Sequence, residues 1–313
     1  MENKIRTGAV ITAARADFYR GEFKPLLEIG ALSAVQRLIL TLRQAGCSPI
    51  VLVTGYRAKE LEKAVSKMGV ICMHYGEYES AQMFDTIKAG LEYIKDLCGQ
   101  VICTPVDLPM VSVHTLHQLM DSQAPLGVPV YRERKGHPVL IHTSVIPELL
   151  SYEGSRGLAG AMQSASCGRT LVQVEDEGIL LRAGEVNGNE ELLEERSRQL
   201  YTASVTVRIM KEQQIFGPGT AQLLTLLQYT GSMKEACRQM NMSYTKGWTI
   251  INRAEEQLGY RVIKRQHGGK SGGASFLTEE GNSLLRRYEE MEDEIRRMAQ
   301  NVFQEKFPEF AVK

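Results

Sequence analysis

The chain has 313 residues, 43% of them apolar, and its 37 basic side chains balance 37 acidic ones. That length is enough for two domains with substantial cores, and the neutral total by itself predicts no polyanion partner. No eighteen apolar residues run together and the start, MENKIRTGAVITAAR, shows no leader pattern, so a helical membrane span is excluded and a cytoplasmic protein is expected.

In chain order, apolar runs predict strands at Thr7 to Ala14, Pro49 to Thr54, Val70 to Tyr75 and Val101 to Val106. Amphipathic stretches predict helices between them at Ala31 to Ala45, Ala58 to Met68 and Ala81 to Ile94. This alternation is that of an α/β fold with a doubly wound, mostly parallel sheet. Such sheets bind ligands beyond the carboxyl ends of their strands. The informative residues there are Thr12-Ala13-Ala14-Arg15, then Arg20-Gly21-Glu22-Phe23-Lys24-Pro25, and after the later strand Thr104-Pro105-Val106-Asp107-Leu108-Pro109. Lys24 on one loop and Asp107 on a neighbouring strand end supply what nucleotidyl transfer needs, a cation for phosphates and a carboxylate for a metal. Singly, the lysine also reads as a solvent-facing side chain and the aspartate as a turn cap. Cys47, Cys72, Cys98, Cys103, Cys167 and Cys237 have no CxxC spacing and read as reduced core thiols, not disulfides or a zinc site.

A charged helix from Glu190 to Leu200 and a strand from Ser204 to Met210 mark a junction without a flexible linker, giving domains 1–201 and 202–313. Charge is uneven across it: 21 basic against 24 acidic residues up to Leu200, and 16 against 13 from Tyr201. Between Ser232 and Lys270, eight basic residues face three acidic ones, a local excess suited to phosphate contact. Ser232 to Met240 predicts a short helix, Asn241-Met242-Ser243 a break with Ser243 as N-cap, and Tyr244 to Leu258 a longer helix with Trp248, Ile251 and Leu258 at helical spacing. Two helices about a tight polar turn place the N-terminal residues of the second in a major groove. The strands Tyr260 to Ile263 and Ala274 to Leu277 flank Gly268-Gly269-Lys270-Ser271-Gly272-Gly273, the pattern of a basic wing. Ser243, Tyr244, Lys246, Trp248, Arg253, Lys264, Arg265 and Lys270 are the candidate DNA-binding residues, with His267 beside them at the wing. A phosphate-cradling loop is the other reading of the glycines, but no Gly-Lys-Ser/Thr follows a buried strand and opens a helix here. Glu279 to Phe303 predicts a long helix with Leu284, Leu285, Tyr288, Met291, Ile295 and Met298 on one face, which packs either on a second copy or on its own domain.

Residues Val205 to about Tyr288 resemble the winged helix-turn-helix domain of ModE-type molybdate-responsive regulators, through Phe216-Gly217-Pro218-Gly219, Thr230-Gly231-Ser232, Met242-Ser243-Tyr244 with Lys246 and Trp248, and the glycine-rich tip followed by Leu277-Thr278. The resemblance implies double-stranded DNA as partner and a homodimer through the last helix. No small β-barrel molybdate-binding segment follows it in this sequence, so direct oxyanion sensing by that route is not expected.

Thr7 to Tyr201 resembles the MobA/MocA-like nucleotidyltransferases of molybdenum-cofactor maturation, which join CTP or GTP to molybdopterin. It does so through GEFKPLLEIG, PVDLPMVS, Gln82 to Leu91, Gly136-His137-Pro138-Val139-Leu140 and Gly154-Ser155-Arg156-Gly157-Leu158. The likeness implies that Ala13, Ala14, Arg15, Arg20, Gly21 and Lys24 hold the nucleotide, that Lys24 and Asp107 are catalytic, that Asp107 holds Mg²⁺, and that Gly136, His137 and Pro138 face the pterin. Three departures stand out. Arg15 replaces the family's loop glycine, and Asp17, Phe18, Tyr19 and Arg20 replace its Ser-x-Arg-Met. Gly184-Glu185-Val186-Asn187-Gly188 replaces the Asp-Ile-Asp-Thr-Pro segment, leaving Glu185 or Asn187 as substitute metal ligands. Arginine pairs well with phosphate, so Arg15 and Arg20 offer some compensation.

Two functions follow. One is a DNA-binding regulator of molybdenum or molybdopterin metabolism whose first domain binds a nucleotide or molybdopterin species; the other is a bifunctional cytidylyl- or guanylyltransferase that also binds DNA. Arg15 and Asp17 favour the first, and intact Lys24 and Asp107 the second. An enzyme whose winged helix only mediates protein contacts is disfavoured by the basic wing.

Overall fold

The computed structural model describes residues 5–186, 189–198, 200–201, 203, 205–266 and 274–308. It divides the chain into two compact units, the first ending at Tyr201 and the second spanning Thr202–Ala311.

The first unit is built on β1 (Thr7–Ala13), β2 (Ile50–Thr54), β3 (Ile71–His74), β4 (Gln100–Pro105), β5 (Leu126–Tyr131), β6 (Val139–His142) and β7 (Thr170–Gln173). Across the sheet the order is Arg134–Lys135, β5, β6, β4, β1, β2, β3, with β7 also paired to β5. Pairs β1·β2, β1·β4, β2·β3 and β7·β5 are parallel, while β6 runs antiparallel to both neighbours. Strands β1, β2 and β4 are buried along their whole length, as parallel strands covered by helices on both faces must be. Helices α1 (Ala34–Gln44), α2 (Ala58–Val65), α3 (Met83–Ile94) and α4 (Val113–Asp121) connect them. Their boundaries follow from local capping: Ser33 N donates to Gln36 Oε1 at 3.1 Å at the start of α1, and Ser112 accepts from Thr115 N–H at the start of α4. The sheet changes direction of winding between β1 and β4, so their carboxyl ends, Ala13 and Pro105, flank the crevice.

A buried ion pair fixes the loop that leaves β4. Asp176 accepts from Arg196 Nη2 at 2.8 Å, from Ser112 N at 2.9 Å, from Thr115 Oγ1 at 2.7 Å and from Gly178 N at 2.9 Å. Arg196, on the helix Glu190–Arg198, also donates from Nε to Met110 O at 3.0 Å. Both side chains are less than one-tenth exposed. Burying two charges is justified only when such hydrogen bonds satisfy them, so removing one partner is costly.

The second unit contains α5 (Pro218–Thr230), α6 (Met233–Gln239), α7 (Tyr244–Leu258), the paired strands β8 (Ile263–Gln266) and β9 (Ala274–Leu277), and α8 (Glu279–Lys306). Two helices about a tight turn, followed by a two-stranded pairing and a long helix, match the element order expected of a winged helix-turn-helix. Ser232 and Ser243 cap α6 and α7 by accepting from Glu235 N and Lys246 N, and Asn241 takes the left-handed conformation that the intervening turn requires, at φ 51°. Gly247 permits the close crossing of α6 and α7, since a Cβ there would fall 2.3 Å from Cys237 Sγ.

The first wing strand begins three residues later than the alternation of Tyr260 to Ile263 suggests. Gly259 ends α7 in the left-handed conformation, and the buried Glu255 carboxylate takes Val262 N at 2.8 Å and Ile263 N at 3.1 Å, so these backbone donors are committed to the helix end before regular pairing starts at Ile263. The predicted strand from Ser204 contracts to Ile209–Met210, paired with Gln214–Phe216. Leu284, Leu285 and Tyr288 of α8 are buried, with Tyr288 edge-on to Phe216 and donating to Val207 O at 2.8 Å; Met298, further along, is 61% exposed. One half of the predicted stripe therefore packs on its own domain. Among the described residues no helix is long and apolar enough to cross a membrane.

Asp176→Ala is expected to lower the stability of the first unit by about 3–5 kcal/mol, the range for an uncompensated buried partner. Denaturant unfolding of the single and double Asp176/Arg196 variants checks this, with strong non-additivity expected in the double.

Candidate functional site

A cleft of about 290 Å³ opens where β1 and β4 end, lined by Ala13, Ala14, Arg15, Asp17, Asp107 and Arg182 with Met83 and Thr86 of α3. Ala13 and Ala14 are buried at the strand end, and Arg15 projects as an exposed side chain. Val106 N donates to Thr12 O at 3.1 Å, which extends the β1·β4 pairing and delivers Asp107 to the rim. Two carboxylates reach the cleft, and each meets a protein cation. Lys24 Nζ lies 2.9 Å from Asp17 Oδ1, and the Arg182 guanidinium donates to the buried carboxylate of Asp107.

Arg182 is held in register by its neighbours. Ala183 N donates to Asp107 O at 2.7 Å, Glu185 Oε2 accepts from Arg182 N at 3.1 Å, and a Cβ on Gly184 would lie 2.4 Å from the Tyr19 ring. The exposed Glu185 is thus a local cap and not a partner of Asp107. Asn187 lies outside the described residues. Among the described residues no group of three or more His, Cys, Asp or Glu side chains is arranged to hold a metal. The donor set is a poor fit for a resident divalent cation: both Asp17 oxygens contact Lys24, and the Arg182 guanidinium on Asp107 Oδ2 places a fixed positive charge beside the remaining carboxylate oxygen.

Several sequence-derived candidates lie elsewhere. Arg20 and Gly21, at φ 50° and 84°, form the two-residue turn of the Phe18–Tyr19/Glu22–Phe23 hairpin, where Arg20 stacks on Tyr19; neither lines the cleft. Lys24 reaches the cleft only through Asp17. Gly136 faces the protein interior, since a Cβ there would fall 2.5 Å from Ile179 O, and Pro138 is buried. His137 N donates to Ile179 O at 3.0 Å, and its ring Nδ1 is sealed from solvent without a hydrogen-bond partner. Burial pushes its imidazole below the ordinary range; Asp107 opposes that shift, Arg182 adds to it, and a backbone hydrogen bond at Cys103 opposes it. So the Gly136 to Pro138 segment packs against Ile179, with Gly136 and His137 half-buried and Pro138 buried.

Of the thiols, Cys47, Cys72, Cys103 and Cys237 are buried as expected of core residues, Cys98 is half-buried and Cys167 is exposed. Burial pushes Cys47 and Cys103 up to about 12.

In the second unit, Ser243, Tyr244, Lys246 and Arg253 are exposed on α7, and Lys264 and Arg265 are exposed on β8. Trp248 is half-buried, edge-on to Tyr244, with the Arg265 guanidinium 3.7 Å from its ring centre. That stack ties wing to helix while the guanidinium keeps its N–H edge for an anion. Lys270 and His267 lie outside the described residues. Arg182 and Glu255 are the residues that sequence reasoning missed; no periodicity or motif distinguishes either from an ordinary surface charge.

Residues 9–170 match the family described as the MobA-like NTP transferase domain. The chain belongs to that family. Among solved structures, a nucleotidyl transferase from Methanothermobacter thermautotroptrophicus superposes with TM-score 0.51 at 18% identity, over 62% of this chain and 98% of that one. The Mycobacterium tuberculosis protein Rv0371c gives 0.50 at 23% identity, over 60% and 98%. Both likenesses concern fold. Among curated proteins, the transcriptional regulator ModE of Yersinia pestis is 30% identical over 88 residues, 28% of this chain and 34% of its own length. The molybdenum-pterin-binding protein MopB of Rhodobacter capsulatus is 32% identical over 72 residues, 23% and 27% respectively. The chain spans about a third of the length of these relatives.

His137, neutral in the fold, takes up its proton more readily once unfolded. Its contribution to stability is therefore present above the unfolded value near 6.5 and declines as pH falls below it. Thermal unfolding from pH 7.5 to 5 is expected to show a smaller acid-side loss in His137→Gln than in the unsubstituted chain.

Proposed function

We propose that the chain is a DNA-binding regulator of molybdenum or molybdopterin metabolism whose first domain binds a nucleotide or molybdopterin species as its signal. The observation that carries this reading is the Arg265–Trp248 stack, which joins the wing to the second helix so that Lys246, Arg253, Lys264 and Arg265 belong to one assembled cationic element. Helix and wing of that kind meet a major groove and its flanking phosphates. The local match to ModE, a transcriptional regulator, and to MopB, a molybdenum-pterin-binding protein, supports both the DNA partner and the molybdenum connection.

The bifunctional reading, transfer of CTP or GTP to molybdopterin with Lys24 and Asp107 as catalytic groups, is the less favoured. Lys24 is spent on Asp17 and Asp107 on Arg182. A phosphoryl transfer site needs its cations on the phosphates. Binding survives this arrangement better than chemistry does, because Ala13, Ala14 and Arg15 still line the cleft. A homodimer through α8 fits the exposure of Met298 and Val302, and sedimentation of Met298→Glu as monomer against a dimeric unsubstituted chain tests it.

Calorimetric titration of CTP, GTP and molybdopterin, each followed by a duplex-binding assay, tests the reading. At least one ligand is expected to bind and shift DNA affinity by about 5–150-fold, the usual span of coupling between sites. Ligand binding with unchanged DNA affinity would refute the signalling role. Lys246→Ala and Arg265→Ala should each weaken duplex binding and reduce the slope of log affinity against log salt by about one. An unchanged slope removes that residue from phosphate contact.

A further inference from the structure

We infer that the first domain binds its nucleotide without a divalent cation, with Arg182 and Arg15 supplying the positive charge that a metal ion would otherwise bring. The inference rests on the nucleotide-binding reading above and specifies the form in which the ligand is taken.

Asp17 is neutralised by Lys24 and Asp107 by Arg182, which leaves Arg15 as an exposed lining cation with no ion pair among the described residues. A polyphosphate entering the cleft therefore meets a net positive surface without help. A metal ion needs the opposite: a carboxylate whose charge no protein cation already neutralises. Arginine stays protonated under all ordinary conditions and here holds Asp107 Oδ2, so a divalent cation at this carboxylate meets a fixed positive charge unless the guanidinium is displaced.

Displacement is opposed by the way the segment is built. The Ala183 N–H bond to Asp107 O, the Glu185 cap on Arg182 N and the Tyr19 ring against Gly184 hold residues 182–185 beside Asp107 through backbone and packing, independently of the ion pair. The Arg182 side chain is 55% exposed, so only part of its five-donor fork is committed to Asp107. The rest is free to take phosphate oxygens in the paired geometry that guanidinium favours. Asp107 on this account orients an anion-binding arginine and does not ligate metal.

The two accounts give opposite signs. CTP and GTP are titrated into the full chain in Mg²⁺ and, separately, in EDTA, and Mn²⁺ alone is titrated without nucleotide. Comparable nucleotide affinity in Mg²⁺ and EDTA is expected, with no Mn²⁺ site. Asp107→Asn should preserve or tighten binding, because the amide oxygen still accepts from Arg182 while a negative charge leaves the cleft. Arg182→Ala should weaken binding in EDTA by about tenfold or more, recover in Mg²⁺ and gain a Mn²⁺ site, while Arg182→Lys restores part of the loss. Thermal melts confirm that each variant is folded. Binding that requires Mg²⁺ and is lost in Asp107→Asn overturns this inference and leaves nucleotide binding standing. No binding of either nucleotide under either condition overturns both.

Discussion

The buried Asp176–Arg196 pair is the constraint from which the geometry of the first domain follows. Asp176 holds the start of α4 through Ser112 and Thr115, and Arg196 holds the loop before it through Met110. The chain between Asp107 and Ser112 is thus pinned to the segment that runs from Asp176 to Arg196, the same segment that carries Arg182. Two residues 75 positions apart are brought to one cleft because a satisfied internal charge pair closes the path between them. An unpaired carboxylate in that position would cost several kcal/mol, so the loop and the segment stand or fall together.

The consequence is a nucleotide-handling fold with its electrostatics changed. β1 and β4 still present their carboxyl ends to a crevice, as doubly wound sheets do. What they present is different: a loop arginine at position 15 and a carboxylate already matched by Arg182. Such a cleft is suited to holding an anion, and poorly suited to stabilising the charge that develops when a phosphoryl group transfers. The second domain has the complementary design. There Glu255 fastens β8 to α7 through Val262 and Ile263, and the Arg265–Trp248 stack fastens it further along the strand, which joins the two elements into one basic surface.

Much of the architecture was legible in the sequence, for identifiable reasons. The strands Thr7–Ala13, Ile50–Thr54 and Gln100–Pro105 are unbroken apolar runs because they are buried on both faces, and α7 begins and ends at Tyr244 and Leu258 because Ser243 and Gly259 cap it. Side chains that act through distant partners were not legible. Arg182 and Glu255 carry no local signal, since their meaning comes from Asp107 and from the backbone of Val262 and Ile263. Gly136 illustrates the converse: a glycine beside His-Pro reads as a place for ligand, yet its missing side chain makes room for Ile179. Arg265 was visible as a cation, whereas its seat on Trp248 depends on a wing whose first strand starts later than alternation indicates.

The central claim is that the cleft binds its ligand and does not turn it over. It is tested most directly by diphosphate release from CTP or GTP with molybdopterin and Mg²⁺, measured for the unsubstituted chain beside Asp107→Ala. The account predicts no release above the Asp107→Ala level with either nucleotide. Sustained, molybdopterin-dependent release that disappears in Asp107→Ala would contradict it and establish the chain as an active transferase.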